Sequence, residues 1–304
     1  MNTKYKRDKA VLFQRCNLFH LCVIFASMEK LKELNDAVIQ IDKRVYMENF
    51  VQKYLKRINY VGSPKPNLAT LRKLHRQHLL SIPFENLSII EHQHINLDLA
   101  ELSEKILDRG RGGFCFELNG LFFRLLEELG FTTRMVSARV LNPEGAFGPE
   151  YDHMAIIVSL DEDWLVDVGF GNNFMEPVAI LSDQEYFDDE GFFKIERHGP
   201  DMLALMHSSD GKIYTSDYIF TIRKSDIDDF IEMCEYHQTS PNAPHTQKLF
   251  CTMAIPGGRK TLSGSSFSIR DGGISSKTLL ADNSEVQKVL SEHFGIETSF
   301  VKCI

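Results

Sequence analysis

Residues 109–130 read Arg-Gly-Arg-Gly-Gly-Phe-Cys-Phe-Glu-Leu-Asn-Gly-Leu-Phe-Phe-Arg-Leu-Leu-Glu-Glu-Leu-Gly. Three glycines precede Cys115. After it Leu118, Leu121, Phe122, Leu125, Leu126 and Leu129 recur at i, i+3, i+4, i+7, i+8 and i+11, which predicts a helix with one buried face. Gly130 supplies its stop. Cys115 therefore falls on or just inside a helix N-terminus, where free N–H groups and the macrodipole favour a thiolate and lower its pKa. A small hydrophobe packed behind a glycine-rich turn is the commoner use of a buried cysteine, and the glycines alone do not decide between the two.

Upstream of this stretch the pattern is helical. It runs from Glu29 to Ile58, with Val51, Tyr54, Leu55 and Ile58 on one stripe, and breaks at Gly62-Ser63-Pro64. Asn67 is placed to cap a second helix that carries Leu68, Leu71, Leu74 and His75 and ends before Pro83. His75 and His78 read as surface or half-buried positions of that helix. His92 and His94 offer two metal ligands without a nearby third, so no metal site is expected. Asp98 to Asp108 reads as a short helix leading into the glycines.

Downstream the period changes. Thr132–Leu141, Met154–Leu160, Trp164–Val168 and Ile213–Ile222 are rich in β-branched and aromatic residues between Gly, Pro, Asn and Asp turns, which predicts mainly antiparallel strands. Ser225–Tyr236 returns to helix, 248–270 to strands, and Ser284–Phe294 to a last helix. Helices first and strands second make the fold class α+β, not alternating βαβ units.

The 304 residues suffice for a substantial core, and 43% hydrophobic content is that of an ordinary globular chain. A net charge of −8 without a concentrated basic surface argues against nucleic acid as the main partner. The six cysteines are scattered and form no C-x-x-C pair, so a reducing, cytoplasmic setting is expected. Residues 1–15 are basic and Leu18–Ala26 mostly apolar, loosely imitating a secretory signal. His20 interrupts that run, and it is too short to span a bilayer, so no membrane is expected as a partner. Met28 and Met47 are alternative starts.

Acyl chemistry at a thiol needs a base within hydrogen-bond reach and a group that orients it. His153 opens the apolar run Met154-Ala-Ile-Ile-Val, at a strand end beside the Gly/Pro-rich loop 143–150. Asp167 lies inside Leu-Val-Asp-Val-Gly-Phe-Gly, where a buried carboxylate requires a dedicated partner. A hairpin through Asp161-Glu162-Asp163 would bring the two together. Singly, each reads as a strand-end histidine on backbone and an aspartate capping a turn. With Cys115 they follow the Cys, His, Asp order of papain-type sites.

Four motifs then resemble the arylamine N-acetyltransferase family: Ile82-Pro-Phe-Glu-Asn-Leu87, Arg111-Gly-Gly-Phe-Cys115-Phe-Glu-Leu-Asn119, His153-Met154 and Asp167-Val-Gly-Phe-Gly171. The resemblance runs from about Tyr46 to the last helix. It implies an N-terminal helical bundle, a central antiparallel β-barrel and a C-terminal α/β lid. The corresponding divisions are an N-terminal extension (1–45), a bundle carrying the nucleophile (46–130), a barrel carrying the His and Asp (131–224) and the lid (225–304). It further implies Cys115 as nucleophile, His153 as base and Asp167 as orienter. Phe84, Val140 and Phe170 would line the acceptor pocket, Tyr236 would meet the cofactor, and Glu85 with Arg111 would form a structural ion pair. Two departures stand out. The Asn-Asn-Phe-Met-Glu-Pro segment after Gly171 lacks the arginine and tyrosine that some members place near the acceptor, and Ala243-Pro-His245 replaces a serine and phenylalanine often found there.

The implied activity is N-acetylation of arylamines and arylhydrazines with acetyl-CoA as cosubstrate, by a ping-pong route through acetyl-cysteine and without a metal. The same triad would serve a cysteine hydrolase or another amide-forming acyltransferase. An inert Cys115 would instead leave an aromatic-ligand binding protein.

Overall fold

The computed structural model describes residues 46–181 and 184–298. The readings made for residues 1–45, including the signal-like run, lie outside the described residues. Residues 46–57 form helix α1; a first compact unit of the chain ends within it, at Phe50, and the second is Val51–Ile304. α1 stops before the expected Gly62. Asn59 takes a left-handed φ of 55°, and the Tyr60 N–H turns back to Leu55 O at 2.8 Å, closing the last turn.

The remaining helices of the N-terminal bundle are α2 (Leu68–Ser81), the short α3 (Leu87–Ile90), α4 (Leu99–Ser103) and α5 (Cys115–Glu128). Asn67 caps α2 by accepting the Thr70 N–H at 2.9 Å. α4 runs into one π-helical turn over Glu104–Asp108 that the sequence reading took as ordinary helix. In α5 the expected stripe Leu118, Leu121, Phe122, Leu125 and Leu126 is fully buried. Each such side chain contributes about 1.5–3 kcal/mol. Its first turn, from Cys115 to Gly120, is buried on every side, so this helix end is sandwiched between neighbours and not laid on a surface.

An eight-stranded antiparallel sheet follows, curled into a nearly closed barrel: β2 (Thr132–Val140), β3 (His153–Ser159), β4 (Asp163–Val166), β5 (Val178–Ala179), β6 (Tyr186–Asp188), β7 (Gly191–Arg197), β8 (Met202–Ser208) and β9 (Thr215–Thr221), in the order β5-β4-β3-β2-β9-β8-β7-β6. Its interior holds Val136, Ile157, Leu165, Phe174, Phe193, Leu205 and Phe220. The expected hairpin is present, with Ser159 opposite Asp163. β5 to β8 were not anticipated, and β4 ends at Val166, which leaves Asp167 in the turn beyond the strand instead of within it.

The C-terminal α/β lid begins as a 3-10 turn (Ile227–Phe230) and continues as α6 (Ile231–Thr239), α7 (Pro244–Gln247), strands β10 (Phe250–Ile255), β11 (Gly258–Ser263), β12 (Ser266–Asp271) and β13 (Ile274–Leu279), and α8 (Asn283–Phe294). Its sheet has the order β1-β10-β11-β12-β13, where β1 is only Phe84–Glu85. Phe84 pairs with Thr252 and bridges Gly113, so the lid sheet is hydrogen-bonded to the glycine-rich turn before Cys115. The fold is α+β: bundle, barrel and lid. Among the described residues no helix is long and apolar enough to cross a membrane.

Candidate active site

Cys115 is the first residue of α5 and is 4% exposed. The turn before it is fixed from three directions. A Cβ on Gly112 would stand 2.0 Å from Pro83 O, so only glycine lets the chains approach this closely. Arg111 donates to both Glu85 oxygens, Nε to Oε1 at 3.0 Å and Nη2 to Oε2 at 3.3 Å, with Glu85 fully buried. The Phe114 N–H, one of the orphan donors of the helix start, is taken by Glu117 Oε2 at 3.1 Å, and Lys105 Nζ pairs with the same carboxylate at 2.7 Å.

Burial pushes the Cys115 thiol well above its ordinary pKa; Cys234, Asp152 and Asp167 add to the rise, and the Phe116 N–H opposes it. The helix start does not by itself yield the lowered thiol pKa expected from the sequence. Loss of solvation outweighs the N–H groups and the macrodipole, so a thiolate here requires a cationic neighbour.

His153, the first residue of β3, supplies an imidazole in the same cleft. Its Nε2 lies 2.8 Å from Asp167 Oδ2, both groups being buried. The other carboxylate oxygen, Oδ1, accepts from Asn119 Nδ2 and from the Gly169 N–H, each at 2.9 Å. Burial acts to raise the Asp167 pKa, but His153, Asn119 and the Gly169 N–H outweigh it and hold the carboxyl below its usual range. The Gly169 turn packs on α5 so closely that a Cβ there would be 2.9 Å from Cys115 Cα.

Three supports escaped the sequence reading. Asn119 also donates to Met154 O at 2.7 Å and accepts the Val168 N–H at 2.9 Å, stitching α5 to β3 and to the Asp167 turn. Its i+4 spacing from Cys115 was the available signal. His75 and His78, expected at surface or half-buried positions, are both fully buried. His75 lies under the Asp167 backbone, with Nδ1 3.0 Å from Met175 O and Nε2 3.3 Å from the Asp167 N, and it stacks on Phe174. His78 Nδ1 meets Tyr54 Oη at 2.7 Å. The Lys105–Glu117 pair joins residues 12 apart across the glycine turn, a separation that no local pattern marks.

A cleft of about 570 Å³ opens over Cys115 and His153. Phe84, Val140, Phe170 and Tyr236 all reach its lining, from β1, the end of β2, the turn after β4 and α6. The Phe170 ring sets its edge against His153 with centroids 5.4 Å apart. A larger hollow of about 780 Å³ lies by His92, His94, Gln238 and Lys248 and includes neither Cys115 nor His153. His94 contacts Glu235 at 3.2 Å, and among the described residues no three His, Cys, Asp or Glu side chains gather as metal ligands.

A thiol at a helix start that shares a cleft with an imidazole held by a buried carboxylate is an arrangement suited to covalent acyl transfer. Comparison with known proteins agrees. A family profile described as N-acetyltransferase matches residues 67–302. The pineal gland arylamine N-acetyltransferase isozyme NAT-3 of Gallus gallus is 31% identical over 272 residues, 81% of this chain and 93% of its own. The Escherichia coli K12 arylamine N-acetyltransferase is also 31% identical, over 82% and 90%. Among solved structures, the Salmonella typhimurium arylamine N-acetyltransferase superposes with a TM-score of 0.78 at 29% identity, covering 83% of this chain and 93% of that one. The Mycobacterium marinum arylamine N-acetyltransferase in complex with CoA gives 0.75 at 28%, covering 81% and 92%. The chain belongs to the arylamine N-acetyltransferase family of acyltransferases.

Proposed function

We propose that the chain transfers an acetyl group from acetyl-CoA to aromatic amines and hydrazines in two steps, through acetyl-Cys115. The observation that carries this reading is that Cys115 opens into the same cleft as a His153 whose imidazole is engaged by the buried Asp167 carboxylate. The names of the relatives support the acceptor class, and the CoA-bound Mycobacterium marinum structure supports the donor.

In the first step the Cys115 proton passes to His153, because a buried thiolate forms only against a positive charge, and Asp167 stabilises the imidazolium. The sulfur then attacks the thioester carbon, with backbone N–H groups at the start of α5 stabilising the oxyanion. As the intermediate collapses, coenzyme A leaves with the electron pair of its C–S bond and takes the proton from His153. In the second step the amine nitrogen attacks the acetyl-cysteine. A C–N bond forms, the Cys115 C–S bond breaks, and His153 takes the amine proton. Aromatic amines suit this step because they are uncharged nucleophiles at neutral pH and can stack on Phe84 and Phe170. Val140 completes that wall, and Tyr236, 41% exposed at its rim, contacts the coenzyme A arm. The free thiols Cys115, Cys234 and Cys251 support the reducing, cytoplasmic setting.

Intact-protein mass after brief mixing with acetyl-CoA tests this. One acetyl group is expected on the wild type, none on Cys115→Ala, and its loss on adding an aromatic amine. An unmodified wild type at saturating acetyl-CoA would overturn the reading.

A further inference from the structure

We propose that the cleft selects aromatic amines that carry no carboxylate, favouring uncharged acceptors with a hydrogen-bonding substituent. This rests on the acetyl-transfer reading and deepens it. Two carboxylates, Asp152 and Glu144, line the cleft beside the imidazoles of His153, His237 and His245, and no lysine or arginine among the described residues does. Arg139, which precedes Val140 in β2, donates to the Gly148 carbonyl and is not part of the lining.

Asp152 is held in place next to the base. Its Oδ1 lies 3.1 Å from His237 Nε2 on α6, and its Oδ2 accepts the Val140 N–H at 3.2 Å. Burial acts to raise its pKa, but the bond and electrostatic attraction to His237, the Val140 N–H and the nearby His153 hold the carboxyl below the ordinary range, so it is ionised at neutral pH. An acceptor carboxylate would meet it in a partly desolvated cleft, where like charges repel far more than in water. Glu144 stands on the exposed loop and repels more weakly. The pantetheine arm of acetyl-CoA is uncharged, so the same groups leave the donor unaffected.

The polar contact comes from His245. It lines the cleft between Phe84 and Phe114, with ring centroids 6.0 and 5.7 Å away, and its ring makes no hydrogen bond with any described residue. A neutral imidazole there offers one donor and one acceptor to a substituent on the aromatic ring.

4-Aminobenzoate and its methyl ester share ring and nucleophile, and test this directly when kcat/KM is measured for each. The amine of the carboxylate is intrinsically the better nucleophile, and desolvation of its carboxylate disfavours it in any apolar cleft, so the part of the ester preference lost on removing Asp152 or Glu144 reports repulsion by those groups. The expected wild-type preference for the ester is about tenfold or more. Asp152→Asn should reduce it about tenfold. Glu144→Gln should reduce it about twofold, and raised salt should erase mainly that second part. If Asp152→Asn does not fold, Asp152→Ser and Glu144→Gln carry the same comparison: each is expected to lower the ester preference, and if neither does the proposal is overturned. Equal use of acid and ester by the wild type, or a ratio unchanged in Asp152→Asn, overturns the proposal. Acetyl-Cys115 that neither compound discharges would overturn the arylamine reading beneath it, a different result from either of these.

Discussion

The floor and the far wall of the cleft are built on opposite plans. On the floor the groups that fix the triad and the nucleophile turn are engaged: Asp167 by His153, Asn119 and the Gly169 N–H, Asn119 by Met154 O and the Val168 N–H, Glu117 by Lys105 and the Phe114 N–H. On the wall contributed by the lid, Tyr236 is exposed, and among the described residues the His245 ring makes no hydrogen bond and the buried His237 Nδ1 has no partner. A fully satisfied buried network fixes geometry, and one with unused donors and acceptors adapts to what binds. The chemistry therefore belongs to the floor and substrate choice to the wall, and each can be broken separately.

Breaking the floor should have the largest effect. Asp167→Asn keeps the side-chain shape and removes the charge that stabilises the His153 imidazolium. The rate of Cys115 acetylation should fall about 10³–10⁴-fold, as for carboxamide replacement in other triads. Rapid-quench mass spectrometry measures it. A loss under tenfold would mean that Asp167 only fills space.

The next effect is on stability. Arg111→Met leaves the fully buried Glu85 carboxylate with the Leu87 N–H, 2.6 Å away, but without its cation. The cost should be about 3–5 kcal/mol in denaturant unfolding. The exposed Lys53–Asp108 pair, at a similar 2.8 Å, should be worth less than about 1 kcal/mol when Lys53 is replaced by Met. Similar losses for both would remove the claim that the nucleophile turn is a specially fixed part of the floor.

How legible these regions were in the sequence follows from how local their signals are. The α5 stripe, the Asn67 cap and the β3–β4 hairpin each depend on neighbours a few residues apart. β13, Ile-Ser-Ser-Lys-Thr-Leu, is exposed throughout, so it carries no buried alternation to read. β7 does alternate, with Phe193 and Ile195 inward between Lys194 and Glu196, but over too few residues to rise above its charged flank. The burial of His75 and His78 was readable: with Leu71 and Leu74 they complete an i, i+3, i+4, i+7 stripe, and only their polarity suggested a surface. The partners of Lys105 and of His75 come from the packing of distant segments, which no spacing encodes.

The mildest test of the floor is acid, and it acts through that misread histidine. Burial lowers the His75 pKa from 6.5 to about 4, so the folded chain binds fewer protons than the unfolded one between those values. Stability from this site is complete above about pH 6.5 and is lost as pH falls towards 4, up to about 3 kcal/mol. His78, held low by burial and by the nearby His75 and Arg57, acts with the same sign. Urea unfolding between pH 7.5 and 5 should show stability falling with acid, and His75→Gln should flatten part of that slope while lowering stability at pH 7.5, where its bonds to Met175 O and the Asp167 N are weakened. An identical slope in the variant would mean that His75 accepts a proton in the folded state at little cost, and the ground under Asp167 would be softer than its burial indicates.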